Sequence, residues 1–463
     1  MPLVDLIVTD ATVLTHTTPA DAGYPDDGGA ARATAIFLRH HDIGIADGVI
    51  AWVRPTGTTP QAEREGAEVI DGRGRLAMPG LINCHTHSAM TMFRGSAEDV
   101  PVESWFNDHI WPMEVNLTPR DVALGARLAI AEMLLAGVTT FADHYFSMDE
   151  IAREVTASGA RAVLASTYFS SEGPAGLDRS AAFAAGWQGA AGGRVTTMLG
   201  PHATYTVDDA DLQRTARTAS QLGIRTHIHA AEGMFQTESS LAARRVTPMQ
   251  VLHDTGVLES GVIIAHGAGI TPDDVRWLAP VADRIGVAAC DKVYLKHAQQ
   301  STTPVRLLHD AGVPVGIGTD GPASGNTLSV LESMRMLALV EKQKTADATW
   351  LTSAHALDLA TRQSALTVGL ADSIGALLPG RRADVVLVAL DRPHLQPLHD
   401  IAAGLVLSVQ ESDVRTVLVD GRVVVDEGRL TTIDVQEAID GLTVRIPQLR
   451  DRSHGRRIQD YAP

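Results

Sequence analysis

Short apolar runs alternate with longer amphipathic stretches over the middle of the chain, from about residue 77 to residue 375. Runs of four or five β-branched or apolar residues between polar turns are typical of buried strands, and helical stretches such as Arg120–Ala136 and Asp208–Leu222 follow most of them. The eight runs are Leu81–Cys84, Val138–Ala142, Ala162–Ser166, Val195–Leu199, Ile224–Ile228, Val262–Ala265, Ile285–Ala289 and Val313–Ile317. Eight strands that alternate with helices predict a (β/α)8 barrel, with a doubly wound sheet as the alternative.

The two ends of the chain have a different, strand-rich pattern. The short runs there are Asp5–Thr15, Asp42–Val53, Ala67–Ile70, Ala383–Ala389, Val414–Val419 and Arg422–Val425. Neither end is long enough to bury a core of its own, so we expect both to join in one small β-sandwich. The predicted fold class is α/β: a (β/α)8 TIM barrel with a small β-sandwich domain formed by the N- and C-terminal segments.

The same pattern predicts the domain boundaries. Residues 1–76 and 376–432 are the two parts of the β-sandwich, 77–375 the barrel, and 433–463 a C-terminal helix and tail. We expect the tail to be solvated, as chain ends usually are. The Pro- and Gly-rich stretch at about 15–41 predicts a surface loop.

Composition narrows the classes of partner and compartment. Lys and Arg number 38 against 55 Asp and Glu, a formal charge of −17, which disfavours binding to nucleic acid or to an anionic membrane. The two cysteines exclude a disulfide framework, and no signal-peptide pattern opens the chain. We therefore expect a soluble cytoplasmic protein.

Ionisable residues follow four of the eight predicted strands. His85 and His87 close the first run, and residues two apart on a strand share a face, so both imidazoles can hold one metal ion. His229, His266 and Asp320 follow the fifth, sixth and eighth runs. Buried ionisable groups are costly unless they are paired or bound to metal, and a barrel builds its site at these strand ends. The pattern predicts a metal centre in the barrel mouth.

With these motifs the sequence resembles the amidohydrolase superfamily, in its branch of aromatic-ring deaminases and chlorohydrolases. That branch includes S-adenosylhomocysteine and methylthioadenosine deaminases, guanine deaminase and triazine hydrolases. The resemblance spans about Val4 to Leu430, and its motifs are Pro79–His87, His229–Glu232, Ala265–Gly267 and Gly318–Gly321. It implies a barrel flanked by a two-part β-sandwich, in agreement with the pattern of the chain ends.

The chemistry of these residues and the resemblance imply the same roles. His85, His87, His229 and Asp320 would bind one divalent metal ion, Zn²⁺ or alternatively Fe²⁺ or Mn²⁺. Asp320 would take a proton from the attacking water, and His266 would orient that water or stabilise the tetrahedral centre. Glu232 would protonate a ring nitrogen and then the leaving group.

The resemblance also implies substrate-binding residues. Glu114, in the stretch Trp111–Glu114, matches an acid that reaches a nucleoside ribose, and His202 matches a histidine that contacts the heterocycle. Ser324 matches a further pocket residue, and Trp105 lies in a long lid-like segment, Ser88–Pro112. The structural alternatives are a helix start for Glu114, a core position for His202 and a turn or cap for Ser324.

One stretch departs from the adenosine-type pattern. After the seventh run the chain reads Ala289–His297, where those members carry a different sequence, so the pocket lining is altered and an adenine nucleoside is less favoured. Lys292, Tyr294, Lys296 and His297 either contact a different ring or substituent, or face solvent on the following loop.

Together these features predict a metal-dependent hydrolytic deaminase of an amino-substituted aromatic heterocycle that releases ammonia. The expected substrate is purine-like, of adenine nucleoside, guanine or pterin type. Hydrolytic dechlorination or deamination of a triazine-like ring and a metal-free scaffold are the alternatives. A binuclear site would need a bridging Lys or Glu after the fourth strand, which Gly200–His202 does not offer. The resemblance further implies a homo-oligomer.

Overall fold

The structure, a computed structural model, describes residues 4–17 and 34–463. One sheet has eight strands that neighbour each other in chain order: Leu81–Thr86, Val138–Tyr145, Arg161–Tyr168, Val195–Pro201, Thr226–Ala230, Val262–His266, Ile285–Ala289 and Val315–Ile317.

 Pairing between neighbours is parallel, and the seventh strand, Ile285–Ala289, pairs in this way with the sixth and the eighth. The backbone N–H groups of Thr319 and Asp320 both donate to the His85 carbonyl at 3.1 Å, which brings the end of the eighth strand onto the first. The predicted (β/α)8 barrel is confirmed.

Local sequence signals account for the helices of the barrel. Helix Asp209–Leu222 begins where the Asp208 side chain accepts from the Asp211 N–H, and it ends at Gly223, whose φ of 67° suits glycine. The principal helices of this part of the chain are Pro119–Leu135, Met148–Ser158, Pro174–Trp187, Asp209–Leu222, Met234–Arg244, Pro248–Asp254, Asp291–Lys296 and Val305–Asp310. Helix Val435–Leu449 lies in the C-terminal segment. The helices Val330–Thr345, Ser353–Asp358 and Ile401–Leu407 follow the eighth strand or lie further along the chain.

A second, mixed sheet is built from both ends of the chain. Its nine strands are Leu6–Thr17, Thr34–Ala46, Val49–Pro55, Glu68–Asp71, Arg75–Pro79, Val385–Ala389, Val414–Val419, Arg422–Asp426 and Arg429–Leu430. The two ends meet where Arg75–Pro79 pairs antiparallel with Val385–Ala389. Val8 and Ile45 from one end and Leu387 and Leu418 from the other pack in one buried cluster. The expectation that the ends share one β unit is confirmed.

The chain divides into two compact units. One combines the described residues up to Ile82 with Met133–Thr140 and Ser329–Thr432, and the other comprises Asn83–Glu132, Phe141–Leu328 and Ile433–Pro463. The domain boundaries at 76, 375 and 432 stay a prediction. Among the described residues, no helix has both the length and the apolar character that a bilayer span requires.

Two local expectations need correction. Part of the loop expected at 15–41 is strand, because Leu14 and Thr15 pair with Phe37 and Ile36 across the sheet. The remainder of that expected loop, residues 18–33, lies outside the described residues. The segment after helix Val435–Leu449 is not solvated throughout, because Tyr461 is buried.

Candidate active site

The structure brings the four predicted metal ligands together at the carboxyl end of the barrel strands. His87 Nε2 lies 3.2 Å from His229 Nε2 and 3.2 Å from Asp320 Oδ1, and His85 Nε2 lies 3.6 Å from the same carboxylate oxygen. Two glycines allow this approach, because a Cβ at Gly318 would lie 3.1 Å from the His85 Cβ, and one at Gly321 would lie 3.1 Å from the His87 Cβ. Three imidazoles and one carboxylate therefore face a common point.

Hydrogen bonds behind the cluster fix which ring nitrogen faces it. His87 Nδ1 donates to the His144 carbonyl at 2.5 Å, and His229 Nδ1 donates to the His202 carbonyl at 2.8 Å. Because a carbonyl oxygen only accepts, both Nδ1 atoms carry a proton, and in the neutral form of each ring the free lone pair is on Nε2. Both imidazoles are thus in the tautomer that binds a metal through Nε2.

His85 is held by a third histidine and leaves one nitrogen unsatisfied. Its Nδ1 lies 2.9 Å from His227 Nε2, and among the described residues nothing forms a hydrogen bond with its buried Nε2. Burial lowers the pKa of His85 to about 4, which keeps the ring neutral near pH 7. A buried, neutral imidazole with a free nitrogen beside a carboxylate has the donor chemistry that a divalent metal requires.

Asp320 and His266 complete the cluster. Asp320 accepts from the Ser324 hydroxyl at 2.6 Å and from the Gly321 N–H at 2.7 Å. His266 forms a compact nitrogen group with His85 and His229. Asp320 and His266 have φ values of 57° and 74°, a region that non-glycine residues rarely adopt. Such backbone strain persists where the surrounding structure imposes it, as it does at many active sites.

Glu232 lies in the same pocket with its carboxylate partly satisfied. Its Oε1 accepts from the Tyr205 hydroxyl at 3.2 Å and from Gln236 Nε2 at 3.3 Å. Burial raises the pKa of Glu232 to about 7, against which the Gln236 hydrogen bond acts. A carboxyl group with this pKa can both hold and release a proton near neutral pH.

The pocket above the cluster is enclosed mainly by aromatic side chains. The four residues that the sequence assigns to substrate binding, Trp105, Glu114, His202 and Ser324, all line it. Its aromatic walls also include Phe106, Trp111, Tyr145, Phe146, Phe169 and Tyr205. Flat apolar walls with a few polar groups between them suit a planar heterocycle.

Glu114 and His202 occupy different environments within this pocket. Glu114 is buried in the short helix Trp111–Glu114 and accepts from the Tyr145 hydroxyl at 2.6 Å, while burial raises its pKa to about 7. The His202 ring stacks on Phe169 with centroids 4.6 Å apart, and its Nδ1 lies 2.9 Å from the Thr206 hydroxyl. Burial lowers the pKa of His202 to about 3, so its ring is neutral at pH 7.

The stretch that departs from the adenosine-type pattern divides between the pocket and its rim. Within this stretch Val293 and His297 line the pocket, and the His297 ring lies edge-on to Trp105 at 6.0 Å. The two lysines are engaged elsewhere: Lys292 Nζ donates to the Thr327 hydroxyl at 2.7 Å, and Lys296 Nζ lies 2.7 Å from Glu98. Tyr294 is buried, with its hydroxyl 3.2 Å from that of Thr303. Of the four side chains considered, only His297 therefore lines the pocket.

Sequence reasoning missed several residues around the site. It assigned no site role to His227 or to Asp143. Asp143 accepts from both the hydroxyl and the backbone N–H of Ser88. Asp143 precedes His144 at the end of the second strand, so the strand-end rule could have found it. Tyr205 and Tyr461 carried no comparable signal, because their loop positions follow from tertiary packing.

Comparisons with known proteins identify the family of the chain. The family model described as "Amidohydrolase family" matches residues 76–424. A 5-methylthioadenosine/S-adenosylhomocysteine deaminase of Pelotomaculum thermopropionicum is 40% identical over 94% of this chain and 96% of its own length. A 5'-deoxyadenosine deaminase of Methanosarcina mazei is 36% identical over 95% of this chain and 96% of its own.

The fold is also similar to that of solved structures. An adenosine deaminase from Xanthomonas campestris with bound zinc superposes with a TM-score of 0.84 at 29% identity. The match covers 97% of this chain and 98% of that one. The family model and the relatives that cover most of the chain show that the chain belongs to the amidohydrolase family.

Proposed function

We propose that this protein is a metal-dependent hydrolytic deaminase of adenine nucleosides. Water adds to the ring carbon that bears the exocyclic amine, the carbon–nitrogen bond breaks, and ammonia leaves as the ring becomes a lactam. The observation that carries this proposal is that Glu114 and Glu232, two buried carboxyl groups, share one aromatic pocket with the histidine cluster. Relatives named as deaminases of modified adenosines support the substrate class.

The metal centre of the proposal consists of His85, His87, His229 and Asp320. Zinc is the proposed ion, because three imidazoles and a carboxylate suit it and a related solved structure holds it. Such an ion supplies Lewis-acid chemistry that makes water a nucleophile near neutral pH. The three histidines hold their rings for this purpose through the hydrogen bonds behind them.

Proton transfers fall to side chains of the chain itself. Asp320 accepts the proton of the attacking water, and the Ser324 hydroxyl keeps the carboxylate in position for this. Glu232 delivers a proton to the ring nitrogen and another to the departing amine, a task for which a pKa near 7 is suited. His266 orients the attacking oxygen and stabilises the negative charge that develops on it.

Recognition of the nucleoside uses the pocket walls. The Glu114 carboxylate accepts the two ribose hydroxyls, since an ionised carboxylate offers several acceptor sites on two oxygens. His202 contacts the heterocycle from a ring held on Phe169, and Trp105 closes the apolar side. With the ribose at Glu114 and the heterocycle at His202, the 5′ end of the nucleoside contacts the remaining aromatic wall.

The charges of the pocket select the 5′ substituent. The described residues that line the pocket include no lysine and no arginine. Arg179 donates to the backbone oxygen of Thr167, a pocket residue, but its other terminal nitrogen lies 2.7 Å from the Glu172 carboxylate. A substituent that carries a carboxylate would be buried without a free cation, which is costly. We therefore expect neutral substituents, such as a methylthio group or hydrogen, to be preferred over an amino-acid side chain.

The test is ammonia release by the zinc-loaded protein. The panel contains 5′-methylthioadenosine, 5′-deoxyadenosine, adenosine, S-adenosylhomocysteine, guanine and a chlorotriazine, with His87→Ala as the blank. We expect release from the neutral adenosines, with kcat/KM for S-adenosylhomocysteine lower by about tenfold or more. Release from guanine alone, or chloride release from the triazine alone, would overturn the nucleoside assignment. A purified protein that binds no metal would favour the scaffold alternative.

A further inference from the structure

A segment near the end of the chain crosses the part of the structure that closes the pocket. We name residues 102–116 the lid, because they supply Trp105, Phe106, Trp111 and Glu114 to the pocket. We name residues 451–461 the strap; they follow helix Val435–Leu449 and contain no further helix or strand. The strap and the lid belong to the same compact unit.

The strap is attached to the lid at its first residues. Asn116 Nδ2 donates to the Asp451 carbonyl at 2.7 Å. Arg452 Nη1 donates to the Asp108 carbonyl at 3.2 Å and to His109 Nδ1 at 2.5 Å. Because residues 452–457 are exposed, packing contributes little to their attachment. The strap is therefore held by these bonds and by the contacts of Tyr461 at its other end.

The far end is held by Tyr461, which is only 4% exposed. The Tyr461 N–H donates to Asn107 Oδ1 at 2.7 Å, and Asn107 Nδ2 donates back to the Tyr461 carbonyl at 3.2 Å. Its ring stacks on Phe106 with centroids 4.4 Å apart and planes 15° apart. It also lies edge-on to Tyr205 at 5.6 Å. Phe106 and Tyr205 both line the pocket, so Tyr461 supports its wall from behind.

The ring of Tyr461, rather than its hydroxyl, makes these contacts. Among the described residues nothing forms a hydrogen bond with the buried Tyr461 Oη. The Asn107 bonds use only the backbone of residue 461. Phenylalanine at this position would therefore keep both the stack and the hydrogen bonds, whereas alanine would remove the stack.

We propose that Tyr461 is a positioning residue that holds the lid over the pocket and thereby sets the affinity for substrate. It acts through Phe106 and Asn107, which lie between Trp105 and Glu114 along the lid. Loss of the ring leaves the metal cluster untouched and loosens the groups that bind the nucleoside. Substrate binding should weaken more than the chemical step. The expected effect on KM rests on the proposed function.

The test compares three full-length, zinc-loaded variants: Tyr461→Ala, Tyr461→Phe and Arg456→Ala. Arg456 is an exposed residue of the same strap and serves as the matched control. With 5′-methylthioadenosine, we expect Tyr461→Ala to raise KM by about fivefold or more while kcat stays within about twofold. Tyr461→Phe and Arg456→Ala should match the wild type, and all variants should bind equal zinc.

Backbone hydrogen exchange in the lid gives a readout that needs no substrate. We expect amides of residues 102–116 to exchange faster in Tyr461→Ala than in Tyr461→Phe. Should Tyr461→Ala fail to fold, Asn107→Ala, which removes both bonds to Tyr461, replaces it with the same expected result. If the wild type deaminates no nucleoside, the proposed function fails and lid exchange alone decides this proposal.

Three results would overturn the positioning role. The first is unchanged KM and unchanged lid exchange in Tyr461→Ala. The second is a loss of kcat together with zinc, which would indicate general misfolding. The third is an equal defect in Tyr461→Phe, which would transfer the role from the ring to the hydroxyl.

Discussion

Glu232 and Glu114 are both buried carboxyl groups with a pKa raised to about 7, yet their neighbours differ. Glu232 follows His229, a proposed metal ligand, by three residues and contacts a tyrosine and a glutamine. Glu114 lies on the lid and contacts the Tyr145 hydroxyl. In the proposed mechanism the raised pKa favours proton transfer at Glu232. At Glu114 it acts against ionisation, and only the ionised carboxylate accepts from both substrate hydroxyls.

Glu232→Gln should retain zinc and lose most of its turnover. The amide keeps the shape of the side chain but cannot carry a proton between water, ring and amine, so kcat should fall by about 10²–10⁴-fold. Steady-state ammonia release and metal analysis of the same preparation measure both quantities. Glu238→Gln, on the exposed side of the following helix, is the matched control. Full turnover in Glu232→Gln would remove the assigned role.

The KM for the nucleoside should depend on the ionisation of Glu114. Only the ionised carboxylate accepts from both ribose hydroxyls without donating, so KM should fall as pH rises through about 7. In Glu114→Gln, KM should be higher and this dependence should disappear. Initial rates between pH 5.5 and 8.5 (roughly one and a half units either side of that pKa) check it. A variant that keeps the wild-type pH profile would contradict the assignment.

The same carboxyl group should cost stability at alkaline pH. Burial raises its pKa from 4.5 to about 7, so the folded state binds the proton more tightly than the unfolded chain. The favourable contribution of the bound proton to the free energy of unfolding is fully present below the unfolded-state pKa of 4.5. It is lost as pH rises through the folded-state pKa of about 7. At pH 8 the cost is on the order of 3 kcal/mol, from about 1.4 kcal/mol per pKa unit. The free energy of unfolding of Glu114→Gln, measured in urea, should rise relative to that of the wild type between pH 4 and pH 8. The same difference between the two proteins at both pH values would contradict the raised pKa.

At the scale of elements, barrel strands decide which side chains meet. The strand Thr226–Ala230 carries His227 and His229, two residues apart and therefore on one face. His229 belongs to the metal cluster, while His227 lies 2.9 Å from the Nδ1 of His85 on the first strand. One strand thus supplies a proposed ligand, His229, and also the residue that supports a second proposed ligand, His85, on the first strand.

His227→Ala should weaken zinc binding although His227 is no ligand in this proposal. Without it the His85 ring loses the partner that orients its Nε2, and such outer partners typically contribute about 10–100-fold to metal affinity. Competition with a fluorescent chelator measures this change. His399→Ala, at an exposed position, should behave as the wild type. Wild-type affinity in His227→Ala would indicate that packing alone orients His85.

The divergent segment after the seventh strand also has a structural role, through Lys296. Lys296 Nζ contacts Glu98 at 2.7 Å and Asn326 Oδ1 at 2.6 Å, and Asn326 Nδ2 donates to Glu98 at 2.9 Å. These three residues follow the seventh, first and eighth strands. The lysine therefore joins three loops at the rim of the barrel, which the motif pattern alone did not indicate.

For the whole molecule, metal removal should lower thermal stability. The proposed ligands come from three separate barrel strands or the loops that follow them. An ion that binds only the folded state stabilises it by mass action. Zinc at 100 times its Kd should add about 2.7 kcal/mol to the free energy of unfolding. The Tm measured by calorimetry should therefore be higher with zinc than after treatment with a chelator. His87→Ala should show little of this increase. Equal transitions with and without zinc would contradict a metal site linked to folding.

Net charge and oligomeric state are also properties of the whole molecule. A formal charge of −17 disfavours binding to nucleic acid and to anionic membranes. A homo-oligomer and a cytoplasmic location remain predictions.

The sequence alone determined the barrel, the shared β unit of the chain ends and the candidate residues of the metal centre and its surroundings. Strand periodicity and helix caps are local signals, and in a barrel the strand ends meet in a known order, so His85, His87, His229, His266 and Asp320 were predictable. Tertiary structure decided which groups stand behind and beside them. The contact of His227 with His85, the pairing of Lys296 and the stack of Tyr461 on Phe106 join residues far apart in the chain. Such contacts have no local signature, because they depend on how loops and strands pack once the barrel has closed.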